Sequence, residues 1–399
     1  MTALPPTRPI LLAAALLALL GLQQQLCAQG SAPGRTAAAL AAEGPLAPHL
    51  RTPVLELTKV FGRERFPNVA VCVDGSVLVT YGSSRVRARR SLDGGRTWSS
   101  ETIIAKGFQA GGVTVDETTG HVIAFIEDGH PPAPLRIYRS TDHGATFHVQ
   151  DTVVGKDPAG NVPSMHMNDH GITLRRGKHR GRLVRPSRWY AGRNDSKLWP
   201  EHYTNAIFSD DGGKTWKASA PFPARGTGEA TIAELSDGTL YYNSRRHWAE
   251  EGANPRRRWT ATSKDGGATW TNLRFCAALP DGPQDSNYGC MAGLARLPIA
   301  GRDILLYSNC DSERGRQRGT VWASFDGGRT WPLKRLLFEG AFAYSSLEAG
   351  RPGTPSSGLA FVHFEGGPKG GSTVARFNLA WVLGGEKTGD GEVPRWVRP

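Results

Sequence analysis

Hydrophobic positions in this chain fall into two kinds of stretch. One is a single apolar run near the start, Ile10 to Leu22. The others are short segments rich in Val, Ile, Tyr and Thr: SVLVTYG from Ser76, HVIAFIE from His121, LRIYRS from Leu135, TLYYNSR from Thr239, RRWTATS from Arg257, DILLYSN from Asp303 and GTVWASF from Gly319. Gly, Asp and Pro cut them apart, which is the chemistry of strands and hairpins. A small polar turn recurs among these strands, as SLDGGRTW from Ser91, STDHGATF from Ser140, SDDGGKTW from Ser209, SKDGGATW from Ser263 and SFDGGRTW from Ser324. All fit S-x-D-x-G-x-T-[WF]. Within such a turn glycine supplies positive φ, Asp and Ser or Thr bond nearby backbone, and the aromatic packs under the hairpin. Its polar groups are consumed locally, so the repeated Asp residues read as scaffolding.

The turns lie about 50 to 70 residues apart, which suits one four-stranded propeller blade per unit plus loops. An all-β propeller of antiparallel blades with these hairpins is therefore expected, and 399 residues can form it as one domain over residues 51–399. TPVLELTKVF near the start and ARFNLAWVL near the end suit a last blade closed by strands from both termini. Residues 29–50, rich in Ala, Gly and Pro, read as a flexible leader.

Arg8 ahead of the apolar run, with small and polar residues after it, makes residues 1–28 a secretory signal peptide. The run is short for a membrane span, and no later stretch approaches one, so an exported, periplasmic or secreted protein is expected. Leu26 before Cys27 fits poorly with a lipid-attachment signal. Of the cysteines left after cleavage, Cys276 and Cys290 are the nearest in sequence and the expected disulfide pair. The formal net charge of +12 suits an anionic partner. Scattered arginines without a nucleic-acid motif disfavour nucleic acid and leave an acidic sugar.

The repeated turn has the form of an Asp box, and the chain resembles the sialidases, glycoside hydrolase family thirty-three, from about Leu55 to Leu383. The resemblance implies a six-bladed propeller acting on sialylated or related acidic glycans, without cofactor or catalytic metal. It rests on specific motifs. ERFP resembles the family's F/Y-R-I-P motif and places Arg65; GEATIAELSDGTLYYNSR places Glu229 and Arg245; RGRQRGTVWASFDGG aligns Arg316, with Arg318 as its rival. Three arginines would hold the substrate carboxylate, guanidinium being a planar two-pronged donor. GAFAYSSLEA implies Tyr344 as nucleophile with Glu229 as its base, and GLAFVHFEGG implies that Glu365 orients Arg65. A neutral nucleophile suits a substrate that carries its own carboxylate, because an anionic one would be repelled.

One part of the pattern is missing. The family's Asp acid/base belongs on a loop that is here YGSSRVRARRSLDGG, whose single Asp before the turn glycines, Asp93, belongs to the box. Asp74 sits in a hairpin turn. Asp128, His166 and Asp169 are the candidate replacements, with Glu127, His130 and His170 in the same loops and Asp195 in RNDSK. A substrate of unusual leaving group and a lectin-like protein that binds without cleaving are the other readings. His166 and His170 stand on a loop, so their spacing does not argue for a metal pair.

Overall fold

The structure, a computed structural model, describes Met1 and residues 44–192, 195–246, 256–284 and 289–397. Residues 2–28 of the expected signal, and the start of the leader up to residue 43, lie outside the described residues. Residues 44–50, read above as leader, are packed: Ala47–Leu50 is a 3-10 helix, and Leu46 and His49 are buried.

Nearly all regular structure is β, in antiparallel sheets built from strands consecutive in the chain. Three sheets have four strands, spanning Asn68–Val71 to Thr102–Lys106, Phe108–Val115 to His148–Gln150, and Thr227–Glu234 to Thr271–Pro280. A fourth is built from Ile172–Thr173, Leu183–Trp189, Tyr203–Ser209 and Thr215–Ala218, with Val153–Val154 added in parallel. The last sheet has eight strands because one 17-residue strand, Leu333–Ala349, serves two groups. Its first part pairs with Gln317–Ser324 and its second with Leu359–Gly366. Leu55–Phe61 pairs with Ser372–Asn378, so strands from the two ends of the described chain lie side by side. The ARFNLAWVL segment is strand only as far as Asn378. Leu379–Leu383 is a short helix, and Asn378 starts it by accepting from the Trp381 N–H at 3.0 Å.

Because strands alternate in direction, each sheet presents two rims. The starts of first strands (Asn68, Thr227), the ends of second strands (Glu127, Arg246, Gly366) and the starts of third strands (Gln317) share one rim. The Asp boxes follow the ends of third strands and lie at the other. In every box the Asp carboxylate accepts from the Ser and Thr hydroxyls and from backbone N–H groups; in the fourth, Asp265 Oδ1 accepts from Ser263 Oγ at 2.7 Å and Oδ2 from Thr269 Oγ1 at 2.6 Å. The box glycine is required twice over. Gly328 has φ of +84°, and a Cβ there would lie 2.6 Å from the Tyr241 ring.

The first strands are tied together by polar side chains. Asp169 Oδ1 accepts from Ser346 Oγ at 2.6 Å and from Asn68 Nδ2 at 3.3 Å, while Oδ2 takes the Leu294 N–H at 3.3 Å. This joins three strands, one from a four-stranded sheet and two from the eight-stranded one, at one buried carboxylate.

Candidate active site

Tyr344, in the long shared strand, directs its hydroxyl at Glu229 Oε1, 2.9 Å away. Glu229 stands near the start of Thr227–Glu234, and its other oxygen accepts from Arg245 Nη1 at 2.7 Å. Arg245 comes from the end of the next strand, so one hairpin supplies both partners. Glu229 and Arg245 are fully buried. Arg65 and Arg316 flank the nucleophile candidate, their guanidinium carbons 4.8 and 4.9 Å from the centre of the Tyr344 ring. Glu365 Oε1 accepts from Arg65 Nε at 2.8 Å and from the Phe66 N–H at 3.0 Å, fixing the guanidinium and the backbone beside it. Arg316 is pinned by the Gly289 carbonyl at 2.9 Å. Arg318 pairs instead with Glu339 on the outside.

The charges are arranged so that base and hydroxyl start in their unreacted forms. Burial pushes the Glu229 carboxyl upward, but the charge and hydrogen bond of Arg245, with Arg188 and the Tyr344 hydroxyl, outweigh it and hold the group below its ordinary value. Burial pushes the Tyr344 phenol far up, the Glu229 charge adds to this, and the arginines offset only part. The hydroxyl is thus protonated and donates to a carboxylate. An anion that occupies the guanidinium groups weakens their hold on Glu229 and makes it a stronger base.

The structure brings together six of the residues singled out from the sequence: Tyr344, Glu229, Arg245, Arg65, Arg316 and Glu365. The candidate acids fare differently. Asp169 is corrected to a structural role, since its lone pairs are spent on the tie between first strands. Asp128 is exposed and pairs with Arg136 at 3.2 Å, and among the described residues it makes no hydrogen bond or ion pair with the Tyr344 cluster, which argues against it as acid/base. His166 does lie at the site: its ring packs edge-on to Phe66 with centroids 4.9 Å apart, and Phe66 in turn faces Tyr344 at 6.2 Å. The segment where the family's Asp belongs is a bare turn, Gly82 to Ser84, between Val77–Tyr81 and Arg85–Ser91. Its serines donate to Glu64.

Several site residues carried no sequence signal. Arg258, fully buried, donates to the Glu229 carbonyl at 3.1 Å and to Asp281 and Asn243, bracing the strand that carries the base. Met167 places its thioether 3.3 Å from the Tyr344 hydroxyl. Both it and Phe66 hold left-handed backbone, φ of 56° and 68°, the kind of strain that packing must enforce. The expected Cys276–Cys290 disulfide is not present. Cys276 sits opposite Arg258 on the sheet, whereas Cys290 faces Cys310, sulfur to sulfur at 3.8 Å, and all four described cysteines are free. Among the described residues no group of three or more His, Cys, Asp or Glu is placed to hold a metal ion, and no helix is long and apolar enough to cross a membrane.

Residues 80–354, well over half of the chain, match the BNR repeat-like domain family. The chain is 31% identical over 365 residues to a sialidase from Micromonospora viridifaciens, covering 82% of this chain and 54% of the relative. It is 30% identical to a sialidase from Bacteroides fragilis, covering 69% and 55%. The chain thus spans about half the length of the curated relatives it matches. Among solved structures, a Hadza microbial sialidase superposes with a TM-score of 0.62 at 26% identity, over 80% of this chain and 66% of that one.

Proposed function

The chain belongs to the BNR-repeat, sialidase-like family, and from that premise we propose that it is an exo-α-sialidase-like glycosidase. It releases terminal sialic acid, or a related 2-keto acid sugar, from glycoconjugates outside the cytoplasm. The eight-stranded sheet counts as two blades sharing a strand, which gives six blades around the site. The observation that carries the reading is the Tyr344 hydroxyl, 2.9 Å from a buried carboxylate and flanked by two guanidinium groups.

In this reading Arg65, Arg245 and Arg316 receive the substrate carboxylate, which lies on the anomeric carbon and so brings that carbon to Tyr344. The phenol attacks as its proton passes to Glu229, giving a tyrosyl-enzyme intermediate, and water then releases the sugar with net retention. Glu365 acts through Arg65, holding its guanidinium in register.

A binding-only reading draws on one observation, the carboxylate-free turn at Gly82 to Ser84. Steady-state hydrolysis of an aryl sialoside and a sialyl-galactoside by wild type and Tyr344→Phe separates the two. Turnover by wild type that is lost in the variant supports the glycosidase; binding of free sialic acid without turnover of either substrate overturns it.

A further inference from the structure

We propose that His166 is the proton donor to the leaving group, supplied from behind by Glu127. This rests on the glycosidase reading above. Such a reaction must protonate the departing oxygen, and no carboxylate in the Gly82–Ser84 turn, nor Asp128 or Asp169, is available to do it.

Three observations converge on His166. First, it immediately precedes Met167, whose thioether caps the Tyr344 hydroxyl at 3.3 Å. For that hydroxyl to attack a sugar the thioether must give way, so the sugar enters beside the segment that carries His166. Second, the His166 ring packs on Phe66, next to Arg65, so it lies against the carboxylate-binding side of the nucleophile. Third, its Nδ1 lies 3.9 Å from Glu127 Oε2, both groups are buried, and neither atom has a hydrogen-bond partner among the described residues. Two facing buried polar atoms left unbonded are costly, and their retention calls for a use. The other Glu127 oxygen is anchored, accepting from Ser164 Oγ at 2.6 Å and the Met165 N–H at 3.3 Å.

Protonation states agree with the geometry. Burial raises the Glu127 carboxyl to about 7, and burial together with His130, Arg188 and Arg65 lowers the imidazole well below its ordinary value. Below pH of about 7 the proton therefore sits on Glu127, and the ring is neutral. With Nδ1 turned to the Glu127 O–H, the ring hydrogen is on Nε2.

The step balances without forming an imidazolium among those cations. As the glycosidic C–O bond breaks, Nε2 gives its proton to the leaving oxygen and Nδ1 takes the Glu127 proton. At the same time Tyr344 oxygen bonds to the anomeric carbon and its proton goes to Glu229. In the second half, water bonds to that carbon and gives a proton to Nε2, Nδ1 returns its proton to Glu127, and Tyr344 leaves, recovering its own from Glu229. His166 touches the substrate; Glu127 acts through it and positions it.

The test is the ratio of kcat/KM for a sialyl-galactoside to kcat/KM for an aryl sialoside, in wild type, His166→Gln, Glu127→Gln and His130→Gln, each checked for native circular dichroism. Loss of a general acid falls hardest on the poor leaving group, so His166→Gln is expected to lower the ratio by roughly 10²-fold or more and Glu127→Gln in the same direction by less. An unchanged ratio in His166→Gln, even with both rates reduced, overturns the proposal, as does a fall found in His130→Gln instead. If wild type cleaves neither substrate, the glycosidase reading falls and the relay with it. If wild type is active and the ratio does not move, the relay alone falls.

Discussion

Arg245 and Glu229 form a fully buried ion pair, Nη1 to Oε2 at 2.7 Å, inside one hairpin, and the second Glu229 oxygen is left for the Tyr344 hydroxyl. One carboxylate thus does two jobs. It neutralises a buried guanidinium, and in the proposed reaction it receives the nucleophile's proton. Glu229→Gln is expected to lower kcat by roughly 10²- to 10⁴-fold and to destabilise the fold as well, because Arg245 loses its counter-charge. Since Arg245 holds Glu229 below the ordinary carboxylate value, the base stays ionised into mild acid. On the acid side, kcat/KM should fall only as pH drops through that lowered range, which a pH–kcat/KM profile reads directly.

Arg316 and Arg318 are two residues apart, on either side of the first residue of the strand Gln317–Ser324, but have different surroundings. Arg316→Ala is expected to raise KM for a sialoside by roughly tenfold to a hundredfold, the scale of a lost charge-assisted hydrogen bond. Arg318→Ala removes an exposed pair with Glu339 and should change stability by about 0–1 kcal/mol and kinetics little. Parallel Michaelis–Menten curves for the two variants check this.

His170 lies between Asp169 Oδ1 at 3.1 Å and Glu348 Oε2 at 3.0 Å. Burial alone would lower it, but the two carboxylates raise it to about 10. The folded value exceeds the unfolded one. Stability from the charged imidazole is therefore complete below about 6.5, its ordinary value, and is lost as pH rises through about 10. Thermal midpoints between neutral and alkaline pH should fall in wild type, and less steeply in His170→Gln.

Asp265→Ala in the fourth Asp box should cost about 1–2 kcal/mol in urea melts, the range for losing a local capping carboxylate. Because the boxes lie at the rim opposite Tyr344, kcat/KM of the folded protein should stay within about twofold. A selective loss of activity would contradict a purely structural box.

What could be read from the sequence was local. The Asp boxes bond within five residues, Glu229 and Arg245 share a hairpin, and Tyr344 and Glu365 sit in short strand motifs, so each announces itself in a continuous stretch. Choosing Arg316 over Arg318 needed the register shifts where Gln317 pairs with Ala341 and Gly319 with Phe338, which no alternation rule supplies. Asp169 was legible only as a loop acid, because the Ser346 that claims it is 177 residues away. His166 and Glu127 were legible as candidates, but not that they face each other. The cysteine expectation failed because closeness along the chain, Cys276 to Cys290, differs from closeness in space, Cys290 to Cys310.

The most direct test of a Tyr344 nucleophile is its covalent intermediate. The protein would be incubated with a sialosyl fluoride carrying a second fluorine beside the anomeric carbon, which slows both steps by destabilising an oxocarbenium-like transition state, the first being kept going by the fluoride leaving group. Intact mass followed by peptide mapping would then locate any adduct. The expected result is a mass gain of one glycosyl unit on the peptide containing Tyr344, absent in Tyr344→Phe. An adduct on another residue, or turnover of an aryl sialoside by Tyr344→Phe at the wild-type rate, would contradict it.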